Sequence, residues 1–188
     1  PVPILTINTV GPTIMRHGSE DQKRFFLPQI LKGEIHFCIG YTEPNAGTDL
    51  ASLKTRAVRD GDEYVVNGQK VFTSLAGDAD YIWLATRTNP EVPKHEGISM
   101  LAIDLKTPGI RIDPMHLLSE HDINTVFFDD VRVPVTTLVG KENQGWRLIT
   151  SQLNHERVTL CSAGLLAQAY EQTVAWARAA ESAAGGRV

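Results

Sequence analysis

The chain has 188 residues, is 42% hydrophobic and 21% charged, and carries a formal net charge of −4, an ordinary globular composition with room for one full domain or parts of two. It shows no long run of like charge, no apolar run of membrane-spanning length and no signal peptide, which argues against a nucleic-acid or membrane partner. Cys38 and Cys161 lie far apart in apolar stretches and read as reduced, buried thiols of a cytoplasmic protein, with no disulfide or zinc framework.

The start at Pro1, without a methionine, reads as a non-native N-terminus. From about Thr6 to Lys32 the pattern is helical, with Ser19-Glu20-Asp21 as a helix start, Phe25, Phe26, Leu27 and Ile30 as an apolar face, and Gly33 as the stop. Strand signals follow from about Glu34 to Val139. His36–Tyr41 is a short apolar run, and Lys54–Arg59 and Glu63–Lys70 flank the hairpin signal Asp60-Gly61-Asp62. Asn67-Gly68 reads as a second turn before a separate strand Val71–Ser74. Tyr81–Thr88, Ile98–Asp104 and Thr125–Val133 are rich in β-branched and aromatic residues. The prolines of Asn89–Glu96, with Pro108-Gly109 and Asp113-Pro114, read as loop punctuation. Strands at this spacing predict a small antiparallel barrel or sandwich. Beyond Gly140, Asn143 or Gln144 opens one long helix that is expected to run to about Ala180, before Gly185-Gly186.

The chemistry concentrates at Tyr41-Thr42-Glu43-Pro44-Asn45-Ala46-Gly47-Thr48-Asp49, where a strand runs into a tight turn. Pro44 fixes φ, Gly47 permits angles other residues avoid, and Thr42 and Thr48 add hydroxyls to free backbone N–H groups. Such a turn can grip an anionic or carbonyl-rich ligand, although residue chemistry alone is satisfied by a plain polar turn. His36, His95 and His121 lack metal spacing and read as surface or satisfied polar groups.

This turn resembles the Thr-Glu-Pro-x-x-Gly-Ser-Asp signature of acyl-CoA dehydrogenases, with Thr48 in place of the serine. Further stretches are similar to the family in the same order: Gly18–Lys23, Asn67–Ser74, Phe128–Pro134 with Leu138-Val139-Gly140, and Gly145-Trp146 with Leu153–Arg157. The departures are Ile39 where an aromatic is common, Phe72 where a tryptophan is common, Asn154 where an aspartate is usual, and Ser119–Asn124, which matches nothing. The resemblance implies an α+β fragment of the acyl-CoA dehydrogenase fold. Residues 1–34 would end a helical entry domain, 35–140 would form the flavin-binding middle β-domain, and 141–188 would be the first helix of a truncated closing bundle.

By the same resemblance the cofactor is FAD, held by Ile39, Tyr41, Thr42, Gly47, Thr48, Phe72, Thr73 and Ser74. Thr48, Asn154 and Arg157 would touch the CoA arm. The implied reaction is α,β-dehydrogenation of an acyl-CoA, as in the dehydrogenases of actinobacterial steroid side-chain CoA esters, within a homo- or hetero-oligomer, a tetramer for choice, that passes electrons to an electron-transfer flavoprotein or a similar acceptor. An acyl-CoA oxidase of the same fold and a non-catalytic partner subunit are the alternatives, and the fragment alone is expected to be inactive.

In most of the family the base is a glutamate of the closing domain. A subset carries it on the first closing helix just before an arginine, as in Glu156-Arg157. At 100° per residue, Trp146, Ile149, Leu153, Glu156, Leu160, Ala163, Gly164 and Ala167 share one face. Glu156 is therefore a carboxylate in an apolar stripe, where burial would raise its pKa toward that of a working base.

Overall fold

The computed structural model describes residues 4–118, 123–160 and 163–180; His121, Cys161 and Gly185-Gly186 lie outside them. The entry segment breaks into three pieces: a π-helical turn Thr6–Val10, α1 (Gly11–His17) and α2 (Glu20–Lys32). The break falls where the start signal sits. Ser19 closes a capping box in which its Oγ accepts from the Gln22 N–H and the Gln22 side chain accepts from the Ser19 N–H. Gly33 ends α2 at φ 72°, the left-handed conformation glycine adopts without a Cβ penalty. Gln22 also ties the helix to the sheet, since its Nε2 donates to the carbonyls of Thr136 and Leu138 at 2.8 and 2.9 Å.

The strands are β1 (Phe37–Gly40), β2 (Arg56–Asp60), β3 (Glu63–Ser74), β4 (Tyr81–Arg87), β5 (Ile98–Asp104), β6 (Ile110–Met115), β7 (Ile123–Pro134) and β8 (Leu138–Val139). They join one sheet in the order β6-β7-β3-β2-β4-β5-β8, with β1 added on β4. The sheet is antiparallel except at β4, which pairs in parallel with β1 from Phe37↔Tyr81 to Gly40↔Leu84 and with β2 at Arg56↔Arg87. β4 is buried on both faces, as a shared central strand must be: Trp83 and Ala85 join the cluster under the helices, and Ile82 and Leu84 join the cluster of the opposite face.

Two local expectations are corrected. Asn67-Gly68 is not a turn, because β3 runs unbroken through it with a register shift between Val66 and Gly68. Gly68 sits at φ 143°, and a Cβ there would lie 2.7 Å from Thr55 Cα and Oγ1, so the glycine marks a bulge with close backbone approach. Asp113-Pro114 is not loop punctuation either: Pro114 lies within β6, at the end of the strand order, where a missing N–H costs no ladder bond on the open side.

Beyond the sheet come α3 (Gly145–Leu160) and α4 (Ala163–Ala179); residues 161–162, which the single long helix was expected to include, lie outside the described residues. Leu148 and Ile149 of α3 pack into the cluster formed by Val10, Ile14, Phe26 and the helical face of the sheet. The predicted apolar stripe is covered only part of the way: Ala163, Gly164 and Ala167 are exposed, as are Leu165, Leu166, Tyr170 and Trp176.

Candidate active site

The turn after β1 is held from both sides. The Glu43 and Ala46 backbones exchange hydrogen bonds at 3.1 Å, closing Pro44-Asn45. The Glu43 carboxylate folds beneath, accepting from the N–H groups of Lys54 (2.6 Å) and Thr55 (2.9 Å) and from Lys70 Nζ (2.8 Å), which also donates to the Tyr41 carbonyl at 3.1 Å. Burial pushes the Lys70 amine down to about 8. Burial also acts to raise Glu43, but the Lys70 charge and the donors around it outweigh this and hold the carboxyl below its usual range.

β3 carries a second irregularity. Its register with β7 shifts between Lys70 and Thr73, so Val71 and Phe72 bulge outward, and the Val71 N–H donates to the Thr42 carbonyl at 2.9 Å. Phe72 takes φ 57° and is 62% exposed. A bulky residue in left-handed backbone with an uncovered ring is stored strain of the kind found at functional sites.

The third wall is α3. Tyr41 Oη donates to Gln152 Oε1 and accepts from Trp83 Nε1 at 3.2 Å, and Gln152 Nε2 donates to Thr9 Oγ1 at 3.3 Å. One turn later Glu156 is half-buried, and that burial raises its pKa. Burial likewise raises Tyr41, against the Trp83 hydrogen bond and with the help of the nearby Glu156 charge.

These walls enclose a cleft of about 190 Å³ lined by Leu5, Ile39, Tyr41, Thr42, Val71, Phe72, Ser74, Leu153 and Glu156. The fold thus brings Ile39, Tyr41, Thr42, Phe72 and Ser74 to Glu156 across 82 to 117 residues of chain. Gly47, Thr48, Asn154 and Arg157 are exposed and outside that lining. Thr73 points away from it: it is buried, and its Oγ1 has no hydrogen-bond partner among the described residues. The sequence reading gave no role to Glu43, Lys70, Trp83 or Gln152. Glu43 and Lys70 stood within the two family-like stretches, and Gln152 is a polar residue four before Glu156 on the same helix face; Trp83 carried no signal of its own. No helix among the described residues is long and apolar enough to cross a membrane.

Comparison with known proteins bears on this geometry. Residues 38–131 match the model of the acyl-CoA dehydrogenase middle domain, and residues 143–186 that of the acyl-CoA dehydrogenase C-terminal domain. The acyl-CoA dehydrogenase FadE29 of Mycobacterium tuberculosis is 62% identical over 94% of this chain and 46% of its own length. A solved structure described as a Tcur3481-Tcur3483 steroid ACAD is similar at 54% identity and TM-score 0.89, over 94% of this chain and 46% of that one. The ChsE4-ChsE5 complex from Mycobacterium tuberculosis is similar at 54% identity and TM-score 0.89, over 100% and 49%. The chain spans about half the length of the curated relatives it matches.

Proposed function

We propose that this chain, which belongs to the acyl-CoA dehydrogenase family, supplies the flavin face and the proton acceptor of a dehydrogenase that introduces an α,β double bond into an acyl-CoA thioester. The observation that carries the reading is the single cleft in which Ile39, Tyr41, Thr42, Phe72 and Ser74 meet Glu156. Its walls suit one edge and one face of a flavin ring: the Thr42 and Ser74 side chains offer hydroxyls, and the Phe72 ring offers an uncovered apolar face. At about 190 Å³ the cleft falls below the roughly 300–1,000 Å³ of a complete ligand pocket, so it takes a ring edge, with the remainder held by surfaces beyond these residues.

FAD, when bound, would supply the hydride-accepting ring. Thr42 and Ser74 would then hydrogen-bond the ring edge where charge changes, with Thr73 behind them in the same segment, and Phe72 would keep water from one face. Glu156 would take the α-proton, since its burial-raised pKa places it nearer the working range of a general base than an exposed carboxylate. Gly47, Thr48, Asn154 and Arg157, exposed beside the cleft walls, would meet the CoA arm.

The substrate class we favour is a steroid side-chain CoA ester oxidised by an assembly of two unlike subunits, with an electron-transfer flavoprotein as the acceptor. Support comes from the two structural relatives, described as a steroid ACAD and as a two-component complex. The test is single-turnover flavin reduction by the full-length enzyme with its partner, comparing steroid and straight-chain CoA esters and the Glu156→Gln variant. Glu156→Gln should bind the thioester and lose reduction by about 10²–10⁴-fold, the usual contribution of a positioned base. Reduction near the parent rate would place the base elsewhere.

A further inference from the structure

Gln152 is a fully buried amide on the face of α3 that packs against the entry segment and the β1 turn. An apolar side chain of the same length would fill that space without needing partners, and a buried amide is tolerated only when its polar atoms are bonded. Both of them are: Oε1 accepts from the Tyr41 hydroxyl and Nε2 donates to the Thr9 hydroxyl at 3.3 Å. The Tyr41 hydroxyl is itself fixed by Trp83 Nε1 of β4 at 3.2 Å. A continuous polar chain therefore runs from the sheet through the turn and α3 to the entry segment. The neighbouring apolar contacts of Leu148, Ile149 and Leu153 are non-directional and tolerate a helix that slides or rolls, whereas hydrogen bonds fix distance and angle.

We propose that Gln152 is a positioning residue: by bridging the Tyr41 and Thr9 hydroxyls it seats α3 so that Glu156, one turn further on, faces the cleft. The inference rests on the reading of Glu156 as the proton acceptor. Of the side chains lining the cleft, Tyr41 on the β1 turn is the titratable group besides Glu156, and His155 and Arg157 flank Glu156 on its own helix. With α3 unseated, Glu156 moves toward water and loses the burial that raises its pKa.

The experiment uses the full-length, flavin-loaded enzyme with its partner and the variants Gln152→Leu, Tyr41→Phe, the two combined, and Glu156→Gln. The Glu156 carboxyl is followed by infrared titration, as the band that Glu156→Gln removes, and flavin reduction is separated from acyl-CoA affinity by single turnover. Gln152→Leu should shift the Glu156 titration down toward the ordinary value of about 4.3. It should slow reduction by about 10- to 100-fold, the scale of a small misplacement, with little change in affinity. Tyr41→Phe, which keeps the ring, should do the same, and the combined variant should lose little more. An unshifted Glu156 titration in Gln152→Leu, or in Tyr41→Phe should Gln152→Leu fail to fold, overturns the proposal. Reduction at the parent rate in Glu156→Gln would instead defeat the reading of Glu156 as the base, while the titration would still show whether Gln152 places it.

Discussion

Lys70 Nζ lies 2.8 Å from the Glu43 carboxylate with 0% of the lysine and 8% of the glutamate side chain exposed, so two walls of the cleft, the β1 turn and β3, are joined by an ion pair that water does not screen.

Breaking that pair from one side should be costly. Lys70→Met leaves a buried carboxylate with only backbone donors and should lower stability by about 3–5 kcal/mol, whereas Lys70→Met with Glu43→Leu should recover much of the loss. Chemical unfolding of the four proteins of the cycle measures this. The pH dependence has a defined sign. The folded-state pKa of Glu43 is depressed, so its contribution is present above the ordinary glutamate value of about 4.3 and is lost as pH falls through the folded value. Lys70 titrates near 8 in the fold and near 10.4 in the unfolded chain. Between those values the unfolded chain holds the extra proton, so this contribution rises with pH. A parent stability curve that lacks both slopes when compared with the double variant would contradict the assignment.

At Phe72 the backbone, φ 57° with an exposed ring, inverts the usual strand preference. Phe72→Gly should be more stable than Phe72→Val by about 1–2 kcal/mol, since a β-branched residue is penalised most in left-handed backbone. In ordinary strand backbone valine would win. Denaturant midpoints of the two variants decide it, and both should weaken flavin retention through loss of the ring.

Gly68→Ala should cost about 1–3 kcal/mol, the scale of a residue forced into strained backbone, because its Cβ would press on Thr55 at 2.7 Å. Gly61→Ala should cost less. Gly61 also has positive φ, at 61°, but a Cβ there would meet nothing within 4 Å, and alanine can visit that conformation for about 1–2 kcal/mol. Thermal unfolding of the pair gives the order, and equal losses would remove the close-approach argument.

Ser74→Ala in the complete enzyme should slow flavin reduction more than it weakens acyl-CoA binding. Ser74 lines the same cleft as Glu156, and a hydroxyl acting where charge changes is felt mainly in the transition state. Single-turnover rates against thioester affinity measure the split, and an unchanged rate would make Ser74 structural.

The sequence by itself determined what depends on short-range rules. Ser19 and Gly33 bound α2 because capping needs only neighbouring N–H and carbonyl groups. Asp60-Gly61-Asp62 made a hairpin because a two-residue turn needs only local backbone freedom, supplied by Gly61 at positive φ. The turn from Tyr41 to Asp49 and the stretch from Asn67 to Ser74 carried the family resemblance, since a motif is read from neighbouring residues alone. Glu156 stood out as a carboxylate on an apolar face. Only the tertiary structure decided the rest. Asn67-Gly68 became a bulge because Thr55, just before β2, comes against it, and Pro114 stayed in a strand because β6 is at an edge; neither arrangement is encoded in the neighbouring residues. The side-chain partners of Glu43, Tyr41 and Gln152 lie 27 to 143 residues away along the chain. Such pairs are chosen by which buried polar groups packing forces together, and a buried polar atom must then be bonded wherever its partner comes from.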